Sequence, residues 1–381
     1  MATVALDPDR QELARRYAFK RRLLLTAQVA TAGLYLGLLI ATGAAIILRR
    51  WIAAVTDGAP VATVGLYIIV LWLGFAVLSF PLDLTAGWKL PRRYGLSVQT
   101  LRQWLVDHLK AEALGFALAC IAAEVVYALL LHLTDAWWVA ASVFYLLFAV
   151  TLAYLGPVLL LPLFYRLTPL EDPALSASLV ALAQRAGATV EGVYRLHLSA
   201  KTTAANAALA GLGRTRRIIV GDTLLDQYSP EQIEIVFAHE LGHHVRHDIP
   251  RFIAVQAILT TIALFLANLI LRTGAARLPG YQGIADPATA PLLALVLGGV
   301  GTATAPLAHW LSRRAERAAD CYALEATGKA GAFITTMIQL ANQNLAVYRP
   351  PRWVEILFDD HPSIAERVAM GERFARLGRC R

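Results

Sequence analysis

Cysteine is scarce in this chain. Its three copies, Cys120, Cys321 and Cys380, are scattered over 381 residues and form no CxxC pair. That pattern argues against a disulfide framework and against a thiolate zinc site, so any metal must be held by histidine and carboxylate. Charge is scarce too. Asp, Glu, Lys and Arg make up 16% of the residues against 57% hydrophobic, and the mean hydropathy is positive. A soluble chain of this length would carry more surface charge. No internal repeat, no low-complexity segment and no basic stripe interleaved with aromatics is present. The last absence speaks against a nucleic-acid partner, so the net charge of +8 reads as membrane topology and contact with anionic lipid.

What the chain does have is long uncharged runs. A helix crossing a bilayer needs about 20 apolar residues, and six segments come close: 23–48, 61–80, 113–133, 138–163, 252–271 and 291–311. The first is too long for a signal-peptide core and has no evident cleavage site after it. Arg15, Arg16, Lys20, Arg21 and Arg22 precede it, which the positive-inside rule places in the cytoplasm. Alternation through six spans then puts 85–112, 166–250 and the C-terminal tail on the same side, and all three are rich in Arg and Lys. Arg49 and Arg50 are a mild exception. Expected is an integral membrane protein of compact, prokaryotic type, in an inner or plasma membrane, with both termini cytoplasmic.

Four parts follow: a four-span N-terminal domain (1–165), a polar stretch (166–250), two spans (251–311) and a C-terminal part (312–381). In the polar stretch, 173–187 reads as a helix with proline at its start and glycine at its end. Residues 193–198 and 216–220 read as strands, and 205–213 between them as extended or turning chain ending in glycines. Ser229, Pro230 and Gln232 form a strong helix start, combining a cap, a first-turn proline and a capping box. The helix that follows is expected to run through His247, with Pro250 marking the joint to the fifth span.

That helix carries His239-Glu240-Leu241-Gly242-His243, an HExxH motif. Two imidazoles four residues apart sit one turn apart on one face, so both reach one ion. Glu240 beside them is placed to take a proton from the attacking water. The alternative is a pair of surface histidines on a capped helix, and the neighbouring His244 and His247 favour it slightly. A catalytic zinc needs a third protein ligand. The best candidate is Glu316, just past the sixth span, with Arg313 and Asp320 on the same helical face at i−3 and i+4. Asp320 is then in place to fix the tautomer of a ligating histidine. The plain alternative is a salt-bridged helix after a membrane span. His361, followed by Pro362 and six residues later by Arg367, is either an exposed loop histidine or a donor to the oxyanion that forms on an attacked carbonyl. Glu124 and His309, inside the third and sixth spans, are costly in lipid and are expected to line a cavity or make polar contacts.

Assembled in this order, the residues resemble the type I CAAX prenyl protease family, membrane-integral gluzincins related to the protease HtpX. The pieces are Phe-Pro-Leu-Asp-Leu (80–84), Leu-Pro-Leu-Phe-Tyr-Arg-Leu-Thr-Pro-Leu (161–170), Asn-Ala (206–207), Arg-Arg-Ile-Ile-Val-Gly-Asp-Thr-Leu-Leu (216–225), the HExxH stretch, residues 313–320 and His-Pro with Arg (361–367). They span nearly the whole chain. The resemblance implies a mainly α, polytopic fold, with about six transmembrane helices around a water-filled chamber and a small cytoplasmic α+β metalloprotease domain. It further implies one Zn2+ per chain on His239, His243 and Glu316, catalysis by Glu240, and support of the ligands by Asp320 and Arg313. His361 and Arg367 are implied in substrate or transition-state contacts, and Asn206, Ala207 and Ala208 in a strand edge along the substrate peptide. The expected function is a membrane-embedded zinc endopeptidase acting on peptide or protein substrates, prenylated or not, as a monomer in the lipid bilayer. The competing readings are a zinc-stabilised scaffold, which would not need Glu240, and a signalling protein, which would need an extracytoplasmic sensor domain.

Overall fold

The computed structural model describes residues 5–211, 216–277 and 279–380. Leu212 and Gly213, at the end of the expected extended segment, lie outside them. Helix α1 (Pro8–Ala41) starts where Asp7 accepts hydrogen bonds from the N–H groups of Asp9 and Arg10 and Pro8 takes the first helical position. It stops at Thr42, and Gly43, with φ of +71°, turns the chain into α2 (Ala44–Val55). The uncharged run 23–48 is therefore two helices. Helix α3 (Pro60–Leu84) runs through a π turn at 85–89 into α4 (Leu90–Arg93). A capping box of Thr100 and Gln103 opens α5 (Leu101–His132). Another π turn, at 156–160, joins α6 (Trp137–Leu155) to α7 (Leu161–Phe164).

A mixed sheet follows. Strand β1 (Leu167–Pro169), helix α8 (Pro173–Arg185), strands β2 (Gly192–Leu196), β3 (Ala207–Ala210) and β4 (Arg217–Gly221) and helix α9 (Asp222–Leu225) lead into α10 (Pro230–Val245). The strand order is β1-β2-β4-β3, with β2 and β4 parallel and both outer strands antiparallel, so β3 is an edge. Helix α8 lays Leu175, Leu179 and Leu182 against Ile218 and Val220 of the sheet, and Phe237 and Leu241 of α10 close the same core.

The chain then enters α11 (Asp248–Arg277) and α12 (Ala290–Thr327), and ends in α13 (Ala330–Gln343), α14 (Arg352–Phe358) and α15 (Ile364–Leu377). Among the described residues, six helices are long and apolar enough to cross a membrane: α1, α3 with its continuation, α5, α6, α11 and α12. Large apolar side chains on them, among them Leu34, Val77, Leu147 and Ile258, face outward, as lipid-facing surfaces do. Inside the bundle Tyr67, Leu130, Trp137 and Leu271 are buried together, and Trp137 Nε1 donates to Asn268 Oδ1 at 2.8 Å. Polar pairs also sit between spans, such as Gln28 with Asp83 at 2.7 Å and Trp72 with Glu112 at 3.1 Å.

Helix α12 is what joins membrane to domain. Its 38 residues make a rod of about 57 Å, and its second half packs along α10. The polar stretch before the fifth span and the tail after the sixth are thereby brought together. One sequence-based expectation is overturned in this region. Cys321 and Cys380, 59 residues apart, are paired as a disulfide with their Cα atoms 5.8 Å apart, because α15 folds back beside α12.

Candidate metal centre

Helix α10 begins on the expected capping box, with Ser229 accepting from the Gln232 N–H and Gln232 returning the bond. It presents His239 and His243 one turn later, their rings 5.0 Å apart and nearly perpendicular. Gly242, between the two histidines' turns, lets α12 come close, since a Cβ there would lie 2.8 Å from the Ala319 Cα. That close approach sets Glu316 opposite both imidazoles. Its Oε2 is 3.2 Å from His239 Nε2 and its Oε1 is 3.3 Å from His243 Nε2. One ligand atom from each of the three residues lies within 4.8 Å of the others.

The nitrogens that face away are each bonded to a carboxylate. His239 Nδ1 pairs with Asp320 Oδ1 at 2.9 Å, and His243 Nδ1 pairs with Asp248 Oδ2 at 3.0 Å. Both rings thus direct Nε2 inward, the arrangement that outer carboxylates impose on metal-binding histidines. Glu316 Oε2 is buried and has no hydrogen-bond partner. An oxygen in that condition, facing two free imidazole nitrogens, suits a divalent cation better than it suits an apolar wall. The His2Glu set and its geometry fit zinc.

Electrostatics tie the surrounding groups together. Asp320 is fully buried and takes Arg367 Nε and Nη2 on its two oxygens at 2.8 and 2.5 Å. Burial works against its charge, but Arg367 and His239 hold its carboxyl below the usual range. Burial also disfavours an imidazolium at His239, yet the hydrogen bond with Asp320 and the nearby Glu316 carboxylate outweigh it and raise the group to about 9. Glu240, half-buried on the cavity wall, is pushed up by burial while the two histidines pull the other way. A carboxyl raised toward neutrality is suited to exchanging a proton.

His361 reaches in from the loop between α14 and α15, with Nε2 at 3.4 Å from Glu316 Oε1 and Nδ1 at 2.7 Å from Asp360. The Asp360 bond raises its pKa, with burial opposing. Arg367 lines the cavity, but its guanidinium is engaged by Asp320. Arg313 bonds none of the three candidate ligands; its Nη1 donates to the carbonyls of Glu355 and Asp359 at 2.5 Å each, and so holds the segment leading to His361. Asn206 and Ala207 line the cavity at the free side of β3, where Asn206 accepts from the Gly221 N–H at 2.9 Å on the paired side; Ala208 follows in the strand. His309 lines the same cavity, of about 570 Å3. Glu124 stands apart, against Gly65 of α3.

Asp248 and Asp360 were not anticipated from the sequence. A signal for the first was available: a carboxylate five residues after His243, just beyond the break where His247 adopts φ of +53°, returns to the helix end.

Comparison with known proteins gives a consistent result. The model of peptidase family M48 matches residues 169–373, and that described as CAAX prenyl protease N-terminal, five membrane helices, matches residues 4–166. Among the described residues of that second match, four helices are long and apolar enough to span a membrane. An uncharacterized metalloprotease of Bacillus subtilis, YhfN, is 27% identical over 372 residues, covering 97% of this chain and 87% of that protein. CAAX prenyl protease 1 of Saccharomyces cerevisiae is 26% identical over 316 residues, 77% of this chain and 68% of its own length. The crystal structure of S. mikatae Ste24p superposes with a TM-score of 0.82 at 22% identity, covering 95% of this chain and 88% of that one. At that identity the likeness is one of fold.

Proposed function

Because the chain belongs to peptidase family M48 and is an integral membrane metalloprotease, we propose that it is a zinc endopeptidase with Glu240 as its general base. The observation that carries the site is Glu316 Oε2, buried without a partner and facing histidines already oriented by Asp320 and Asp248. His239, His243 and Glu316 would hold the ion, and Asp320, with Arg367 behind it, keeps His239 in the right tautomer. When bound, zinc lowers the pKa of water and polarises the scissile carbonyl.

The protein's own residues do the rest. Glu240, raised by burial, accepts the proton of the attacking water and passes it to the leaving amine. His361, whose imidazolium Asp360 favours, donates a hydrogen bond to the developing oxyanion. The substrate peptide adds to the free edge of β3. Asn206 bonds toward β4, so by the two-residue alternation of a strand the backbone groups of Ala207 and Leu209 face outward. Arg313 keeps the His361 segment at its station.

We read the molecule as 1–165, 166–250, 251–311 and 312–381, with the second and fourth parts forming the cytoplasmic protease domain of a monomer. The basic residues of α1 that precede its apolar run support the cytoplasmic orientation, and the compact architecture supports a prokaryotic plasma membrane. His309 belongs to the cavity of the metal centre, and Glu124 makes its own polar contact within the bundle, beside Gly65. Membrane-associated or unfolded peptides are the substrates, whether or not they carry the prenyl group that names the yeast relative. The test is metal content and peptide cleavage in detergent-purified wild type and Glu240→Gln. Stoichiometric zinc in both, with cleavage only in wild type, is expected. Zinc in both with equal cleavage removes Glu240 from its role, and no zinc in either removes the site.

A further inference from the structure

Helix α14 turns its apolar side outward. Trp353, Ile356 and Leu357, at i, i+3 and i+4, are 59%, 42% and 45% exposed, while Val354 faces the interior. In water that is the wrong way round for a surface helix. Two spans fix the level at which the helix lies. It packs on α12 where that helix leaves its apolar stretch, marked by exposed Trp310 with the Arg314 guanidinium 6.0 Å over its ring. Tryptophan and a snorkelling arginine together are a signature of the bilayer interface. At its other end, Phe358 and Asp359 share a cavity wall with Arg22 and Leu25, the point where the basic cluster of α1 gives way to its apolar run. Exposed Arg349 and Arg352 flank the outward face, complementary to anionic headgroups.

We propose that α14 is an in-plane membrane anchor, its Trp353–Ile356–Leu357 face embedded in the bilayer interface and Arg349 and Arg352 on anionic headgroups. The consequence reaches the metal centre. Arg313 grips the carbonyls of Glu355, inside α14, and Asp359, just after it, and the next two residues are Asp360 and His361. The bilayer thus braces the rim of the cavity that carries His361.

The test uses the full-length protein in vesicles of phosphatidylcholine with a minor share of phosphatidylglycerol. A benzoyl-phenylalanine photo-crosslinker replaces Trp353, Leu357 or, as control, Leu377. Leu377 is exposed at 58% but lies near Cys380, which pairs with Cys321, about 16 Å further along α12 than Trp310. Mass spectrometry should find phospholipid adducts at 353 and 357 in at least about fivefold excess over 377. Phosphatidylglycerol should be enriched among them, and Arg349→Gln with Arg352→Gln should return it to its share in the vesicle. Yields at 353 and 357 no greater than at 377 would overturn the proposal. So would adducts formed mainly with a second copy of the chain or another protein, and unenriched lipid adducts would overturn the headgroup pairing.

Discussion

Adding one methyl group at Gly242 tests whether the spacing of α10 and α12 sets the metal centre. The new Cβ of Gly242→Ala would meet the Ala319 Cα at 2.8 Å and its Cβ and carbonyl oxygen at 3.1 Å each. Ordinary contact begins near 3.4 Å, so the helices must part by at least about 0.6 Å (3.4 − 2.8). Two effects on stability oppose each other. Alanine favours the helix by about 1 kcal/mol over glycine, while overpacking a core costs about 1–3 kcal/mol. The melting temperature should therefore fall only modestly. Metal binding is less forgiving, because His239 and His243 ride on α10, Glu316 rides on α12, and ligand distances tolerate only about 0.2 Å. Zinc affinity should fall further than stability does. Ala319→Gly in the same chain should rescue little, since the closest atom is the backbone Cα and not the side chain. The assay is zinc competition against a chromophoric chelator, with thermal melts alongside. Wild-type zinc affinity in Gly242→Ala would refute the reasoning, and so would full rescue by Ala319→Gly.

Other expectations concern the carboxylates behind the histidines. Arg367→Ala leaves Asp320 buried without its guanidinium partner, with only the His239 imidazole against it, which should cost about 3–5 kcal/mol; Arg367→Lys, with the charge but not the two-pronged geometry, should melt between the two. Asp248→Ala frees His243 Nδ1 and should weaken zinc by about 10–100-fold, with Asp248→Asn closer to wild type, as read by the same competition assay. After metal is stripped by a chelator, His239, raised from 6.5 to about 9, contributes stability that is full below about 6.5 and is lost as pH rises through 9. Thermal melts of the stripped protein should decline across that window. Zinc affinity should rise over the same range, because the ion and the proton compete for one nitrogen.

Features confined to one turn or one run of chain are legible in the sequence. Ser229, Pro230 and Gln232 announce α10 because a cap needs only its own neighbours, and His239 and His243 share a face by helical period alone. Apolar length revealed six spans for the same local reason. Hydropathy did not see the break at Thr42–Gly43, since a glycine turn costs an apolar run nothing on that scale. Nor did it place the end of α10, expected at His247 but reached at Val245. His247 takes a left-handed conformation there and aims Asp248 back at His243.

Partnerships across the fold are a different matter. Residue types and spacings by themselves determined a membrane chain with two helix-borne imidazoles, a nearby acid and candidate carboxylates. Only the tertiary structure decided that Asp320 serves His239, that Arg367 serves Asp320 and that Cys380 returns to Cys321. Those contacts depend on how closely α10, α12 and α15 pack, which is set by small side chains such as Gly242 and Ala319 far apart in sequence. Periodicity orders a residue's neighbours within a turn; which distant helix lies against that turn is settled by packing.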